Sequence, residues 1–170
     1  MNFVNGKSVE TREIFAVIDP SNGEKIADVA RSREADVEST VSVAYSAFPQ
    51  WANLAAWQRE KILLDCAVEL EKNADELTDL LVKESGSCVT KARYETGYTP
   101  RLLRAAAGEA TRMYGDTMPN ERPTRMSMVV REPLGVVACI VPFNAPLALL
   151  AKMTAFPLAA GNTLVVKPSE

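Results

Sequence analysis

Apolar and polar positions change rhythm three times along the chain. Over residues 1–31 short apolar pieces alternate with turn residues. Phe3-Val4 precedes Asn5-Gly6, a dipeptide that suits a tight hairpin turn. The run 15–18 ends at Asp19-Pro20-Ser21-Asn22-Gly23, a turn by composition, and an extended pattern resumes over 26–30. Small antiparallel strands are predicted here.

From 33 to 114 the rhythm is helical. Val37, Val41, Ala44, Tyr45 and Phe48 form one apolar stripe, which Pro49 is expected to end or kink. Ile62, Leu63, Cys66, Ala67 and Leu70 form a second stripe. Asn73 with Glu76 three residues on predicts a capping box for a third helix. Leu77, Leu80 and Leu81 should face inward there, and Gly86 should stop that helix. The Ala-rich segment 89–114 contains Gly97 and Pro100, which predict a kink or break.

Gly115, Pro119, Asn120 and Pro123 then mark a loop. Met126, Met128 and Val130 alternate with polar or small neighbours and predict a half-buried strand within 121–132. The region 135–170 is different again. Val136-Val137-Ala138-Cys139-Ile140-Val141 is a continuous apolar run, as in a strand buried on both faces of a parallel sheet. A helix follows, with Pro146 at its first position and Leu147, Leu150, Ala151, Thr154 and Leu158 on one face. Gly161 ends it, and residues 163–166 form a second apolar strand. Strand, helix and strand make a βαβ unit with an expected right-handed crossover. The fold class is therefore α/β, with small N-terminal strands, a helical layer and the first βαβ unit of a parallel sheet.

This topology directs attention to the strand ends, since parallel α/β sheets bind ligands beyond their carboxyl edge. Asn144 follows the first strand; Lys167, Ser169 and Glu170 follow the second. An amide, an ammonium, a hydroxyl and a carboxylate at one crevice suit a nucleotide. The carboxylate can accept from both ribose hydroxyls, and the ammonium can reach ribose or phosphate oxygens. By themselves, Asn144 also reads as a helix cap and the Lys-Pro-Ser-Glu turn as a solvated loop. The Gly-x-Gly-x-x-Gly fingerprint is absent from the chain.

Composition narrows the chemistry. The 170 residues are 47% apolar and 24% charged, proportions of a globular protein with one domain-sized core. Nineteen basic and twenty-two acidic residues intermingle, giving net charge −3 and no basic block for nucleic acid. No apolar stretch suits a signal peptide or a membrane span, so a cytoplasmic protein is expected. Histidine is absent, which excludes a Ser-His-Asp triad, a Cys-His pair or a His-ligated metal within these residues, and no metal is expected. Three widely spaced cysteines fit a reducing compartment. Cys139 and Cys66 read as buried core thiols, and Cys88 as a loop thiol.

Four segments together carry a resemblance. They are Arg131-Glu132-Pro133-Leu134-Gly135-Val136-Val137, Pro142-Phe143-Asn144-Ala145-Pro146-Leu147, Leu158-Ala159-Ala160-Gly161-Asn162-Thr163 and Lys167-Pro168-Ser169-Glu170. In order and spacing they resemble the aldehyde dehydrogenase superfamily. Weaker matches extend upstream through Asp19-Pro20-Ser21-Asn22-Gly23-Glu24, the segment 44–51, Glu84-Ser85-Gly86, Lys91-Ala92 and Glu95. The resemblance implies the N-terminal part of a Rossmann-like cofactor domain and an NAD- or NADP-dependent oxidation of an aldehyde to an acid, or to acyl-CoA in one branch. It further implies a cysteine thiohemiacetal and thioester, with Asn144 donating to the oxyanion. Ile140, Val141, Pro142 and Phe143 match the segment beside the nicotinamide, and Lys167 and Glu170, with Ser169 between them, match the positions around the adenosine ribose. Glu170 favours NAD, since a carboxylate repels a 2′-phosphate.

Two departures from the family pattern bear on function. Pro-Phe-Asn-Ala-Pro replaces the commoner Pro-Trp-Asn-Phe-Pro. Ala145, Ala148, Leu149 and Lys152 lie where members shape the substrate tunnel, and the small residues imply room for a bulky or aromatic aldehyde. The family's nucleophilic cysteine, general base and glycine-rich cofactor turn are expected beyond residue 170, so the 170 residues alone are expected to be inactive. The segment around Met128 lies where members build subunit contacts, which implies a homo-oligomer. The alternative is a non-catalytic fragment that binds nucleotide or associates with subunits.

Overall fold

The computed structural model describes residues 1–169, and Glu170 lies outside the described residues. The N-terminal strands form two antiparallel hairpins. In the first, β1 (Asn2–Val4) pairs with β2 (Lys7–Val9) around Asn5 and Gly6. Both turn residues have positive φ, 51° and 73°, as a tight hairpin turn requires. In the second, β3 (Ile14–Ile18) pairs with β4 (Lys25–Ala30). Asp19 closes that turn: its Oδ1 accepts the Ser21 amide at 2.8 Å and the Ser21 hydroxyl at 2.6 Å.

Five helices follow the expected periodicity, with informative differences. α1 (Glu34–Ala52) continues one turn past Pro49, since the proline removes a single donor close to the helix end. Its buried side is not the full stripe. Val37, Val41 and Tyr45 are exposed, whereas Ala44 is buried. In α2 (Ala56–Lys72), Leu63 and Ala67 are buried, and Cys66 is exposed because it falls one position off that line. The capping box expected at Asn73 does not form. The Asn73 amide instead donates to the Glu69 carbonyl at 2.8 Å, closing the end of α2. α3 (Ala74–Ser85) buries Thr78 and Leu81 and leaves Leu80 exposed. It stops at Gly86, whose φ of 63° suits a glycine.

α4 (Val89–Ala110) runs unbroken through Gly97 and Pro100. Pro100 is fully buried, so packing on both sides overrides the local breakers. Leu63 and Ala67 of α2 meet Leu103, Ala106, Ala107 and Ala110 of α4 in the core. Ala155 and Ala159 of α5 (Pro146–Ala159) complete the cluster. Alanine at most of these contacts lets the helices approach closely.

The segment after α4 is a third hairpin. β5 (Asp116–Met118) pairs with β6 (Ser127–Val129), and β5 occupies what the sequence pattern reads as loop. Met126, Met128 and Val130 are exposed rather than half-buried, because no other element covers this ribbon among the described residues. β7 (Val136–Ile140) and β8 (Thr163–Lys167) pair in parallel around α5, as the βαβ pattern predicts. Their burial is less complete than expected: Cys139 is buried, but Ile140 is 72% exposed. A two-stranded sheet leaves both edges open, and α1 and α5 cover only part of it.

Candidate active site

The parallel register sets the site. Ile140 lies opposite Lys167, so the carboxyl ends of β7 and β8 finish side by side. The Val141 amide donates to the Lys167 carbonyl at 3.0 Å and holds the two exits together. Beyond them, Pro142, Phe143 and Asn144 are exposed, while Val141 is buried beneath. Lys167 is also exposed, with its ammonium 3.1 Å from the Pro168 carbonyl, and Ser169 is half-buried. The two strand exits are thus followed by exposed apolar side chains and Asn144 on one side, and by the Lys167 ammonium and the Ser169 hydroxyl on the other. Glu170, assigned to the same group from sequence, lies outside the described residues.

The residues assigned to a substrate tunnel follow along α5. Ala145 and Leu149 are half-buried, Ala148 is buried and Lys152 is exposed. Their spacing places them along one face of α5, with exposure increasing from Ala148 to Lys152. A cavity of about 340 Å³ lies away from these strand ends, lined by Phe3, Val43, Ala44, Trp51, Leu158 and Leu164 among others, and includes none of the assigned residues.

Four residues outside the sequence-derived site tie α5 and the strand starts to their neighbours. Glu95 is 2% exposed, and its Oε1 accepts the amides of Leu147 at 2.7 Å and Ala148 at 3.1 Å. These are the first donors of α5, so a carboxylate stands where the helix dipole favours one. Lys91 Nζ lies 2.9 Å from Glu95 Oε2 as an ion pair, although Oε2 has no aligned hydrogen-bond donor. At the other end of α5, Arg59 Nε donates to the Ala159 carbonyl at 3.0 Å, and its Nη1 donates to Leu54 and Ala52. Burial lowers the Arg59 pKa from its ordinary value. Asn162 is buried; it accepts from the Gly135 amide at 3.0 Å and donates to the Pro157 carbonyl at 3.0 Å, joining the starts of β7 and β8. The signal for Glu95 was present in the sequence. It shares a helical face with Ala92, Thr99, Leu103 and Ala106, a carboxylate on a buried stripe.

The thiols are not arranged as nucleophiles. Cys139 is buried, its Sγ 3.5 Å from the Met153 carbonyl, and burial pushes its pKa up. Cys66, exposed on α2, is pushed up by partial desolvation and then by the neighbouring Asp65. Cys88, at the start of α4, is exposed. Among the described residues no group of three or more His, Cys, Asp or Glu is placed to hold a metal ion, and no helix is long and apolar enough to cross a membrane.

A parallel βαβ unit packed on a helical layer defines an α/β domain. The aldehyde dehydrogenase family model matches residues 3–170, and the chain belongs to that family. Aldehyde dehydrogenase 1 of Tanacetum cinerariifolium is 40% identical over 173 residues, covering 99% of this chain and 34% of the relative. The crystal structure of an E. coli NADP-dependent enzyme superposes with a TM-score of 0.96 at 31% identity, over 98% of this chain and 35% of that one. PnpE of Pseudomonas sp. WBC-3, solved in complex with nicotinamide adenine dinucleotide, gives a TM-score of 0.93 at 32% identity, over 96% of this chain and 34% of that one. The chain thus spans about a third of the length of these relatives.

Proposed function

We propose that this chain forms the front portion of the cofactor domain of an NAD(P)-dependent aldehyde dehydrogenase. The observation that carries the reading is the side-by-side exit of β7 and β8, with Asn144 beyond one strand and Lys167 beyond the other. The residues fit a dinucleotide: Ile140 and Phe143 offer exposed apolar surface, and Lys167 and Ser169 offer donors to ribose and phosphate oxygens. When bound, the cofactor supplies the hydride acceptor. Asn144 donates its amide to the oxyanion that forms when a thiolate adds to the aldehyde. A donor of this kind lowers a barrier by about 2.7–4 kcal/mol. The thiolate and the base come from other residues of the same enzyme, so residues 1–170 alone do not turn over substrate.

Finer features belong to the same reading. Glu170 favours NAD over NADP through its charge, and NADP relatives keep the second cofactor in the test. Ala145 and Ala148, small at the start of α5, leave space for a bulky or aromatic aldehyde beside Leu149 and Lys152. The exposed Met126, Met128 and Val130 on the β5–β6 ribbon suit contact with a second subunit of a homo-oligomer.

The test begins with the polypeptide from its native source, with peptides mapped past Glu170, and an assay of reduced nicotinamide formation with NAD and NADP over an aldehyde panel. Activity is expected, greater with benzaldehyde than with acetaldehyde. Asn144→Ala should lower kcat by about 10²–10³. No reduction of either cofactor with any aldehyde would overturn the reading, and a preference for acetaldehyde would overturn the substrate class alone.

A further inference from the structure

We infer that Glu95 is a positioning residue for Asn144, with Lys91 as the counter-ion that holds its carboxylate. The inference rests on Asn144 acting as the oxyanion donor. It starts from how α5 begins. Its first residue is Pro146, which has no N–H, so Leu147 and Ala148 carry the first free donors. A helix normally satisfies such donors from its own N-cap side chain. The N-cap here is Ala145, whose methyl group cannot accept a hydrogen bond. The acceptor comes instead from α4: one oxygen of Glu95 takes both amides, at 2.7 and 3.1 Å.

A local cap fixes a loop to its own helix. A cap supplied by another helix fixes the helix start to the scaffold. Asn144 sits two residues before Pro146 in an exposed loop, and it makes its entry to α5 through the uncapped Ala145. The Val141 amide, bonded to the Lys167 carbonyl, fixes the loop three residues before Asn144, and the anchored amides of Leu147 and Ala148 fix it three and four residues after, so the Glu95 contact sets one of the two ends between which the Asn144 amide stands. The arrangement also accounts for a charge in a place that stability alone does not favour. Glu95 is 2% exposed, and a buried ion pair is a poor device for stability but a good one for fixing register. Lys91 completes the linkage: its ammonium reaches Glu95 Oε2 at 2.9 Å and donates to the Ser87 hydroxyl at 2.8 Å.

The experiment uses the full-length enzyme with Glu95→Gln, Glu95→Ala, Lys91→Met and Asn144→Ala, singly and combined. Glu95→Gln keeps an acceptor oxygen, so it folds even where Glu95→Ala does not. Misplacing a reacting group by about 1 Å costs up to about 100-fold, so kcat should fall roughly 10- to 100-fold in Glu95→Ala and by less in Glu95→Gln, which keeps the acceptor but loses the charge that pairs with Lys91. Lys91→Met should lower kcat less, and KM for aldehyde and cofactor should stay within about twofold. In the Asn144→Ala background the Glu95 substitutions should change kcat by less than about twofold, because residues acting through one another are not additive. An equal loss in both backgrounds, or an unchanged kcat in a folded Glu95→Ala enzyme, would overturn the inference while leaving the dehydrogenase assignment standing. A wild-type enzyme without aldehyde oxidation would overturn the assignment and the inference together.

Discussion

Arg59 gives the clearest case of one side chain setting the position of several elements. Its guanidinium meets carbonyls at the end of α5, the end of α1 and the start of the α1–α2 connection. A cation there also opposes the negative end of each helix dipole. Arg59→Ala would leave these carbonyls without a donor and should cost about 2–4 kcal/mol, measured by urea unfolding of the full-length enzyme. Arg59→Lys keeps the charge but not the planar fork, so it should recover only part of that loss. Asp19 makes a different prediction. The Ser21 hydroxyl, then the Ser21 amide, hold its carboxyl below the usual carboxylate value. The folded state therefore prefers the ion. Its contribution is complete above about pH 4 and is lost as pH falls through the lower folded value. In an acid titration followed by circular dichroism, Asp19→Asn should flatten the pH dependence of stability below about pH 4. A slope equal to wild type in that range would show that Asp19 is not the group responsible.

At the scale of elements, spacing carried the helices and local chemistry carried the turns. Asn5-Gly6 turns the first hairpin because both residues adopt left-handed backbone, and Gly86 ends α3 for the same reason. The strand–helix–strand order over 136–167 is as the apolar runs indicate. What spacing could not show was which half of a stripe is covered. Val37 and Tyr45 belong to an apolar stripe yet stay exposed, because coverage depends on the neighbour and not on the helix. Pro49 and Pro100 read as breakers, and packing or position cancels that preference. Asn144 and Lys167 were legible as strand-end residues and Glu95 as a carboxylate on a buried stripe, whereas the contacts that Glu95 and Arg59 make were not, because their partners are backbone groups far away in sequence. The β5 strand was missed for a related reason: its ladder is three residues long, and its pairing depends on Gly115. A Cβ on Gly115 would stand 1.8 Å from the Val129 carbonyl oxygen, a backbone atom that no rotamer change can move. Gly115→Ala should therefore break the β5–β6 pairing. Amide exchange at 116–118 and 127–129 should rise to the rate of open chain, and unchanged protection there would refute the close contact.

The whole molecule turns on α4, which touches α2, α3 and α5 and so joins the helical layer to the βαβ unit. The contact is built from small residues: Ala106 and Ala107 are fully buried, with Ala155 and Ala159 facing them from α5. Small residues bring little apolar area each, so their value lies in close approach of the helices. The same approach puts Glu95 within reach of the α5 amides, so packing and site geometry share one interface. A larger side chain there must either strain its rotamer or push α5 away. Ala107→Leu should accordingly cost about 1–3 kcal/mol, and a shift of α5 should lower kcat as well, since the Glu95 contact stretches with it. Ala105→Leu is the matched control: the same helix and the same added volume, at an exposed position. It should leave both the unfolding midpoint and kcat near wild type. If Ala107→Leu loses stability but keeps kcat, α5 has absorbed the extra volume without moving its first turn, and the link between core packing and Asn144 is broken. If both fall together while Ala105→Leu is silent, the alanine seam sets the geometry of the site as well as the stability of the fold.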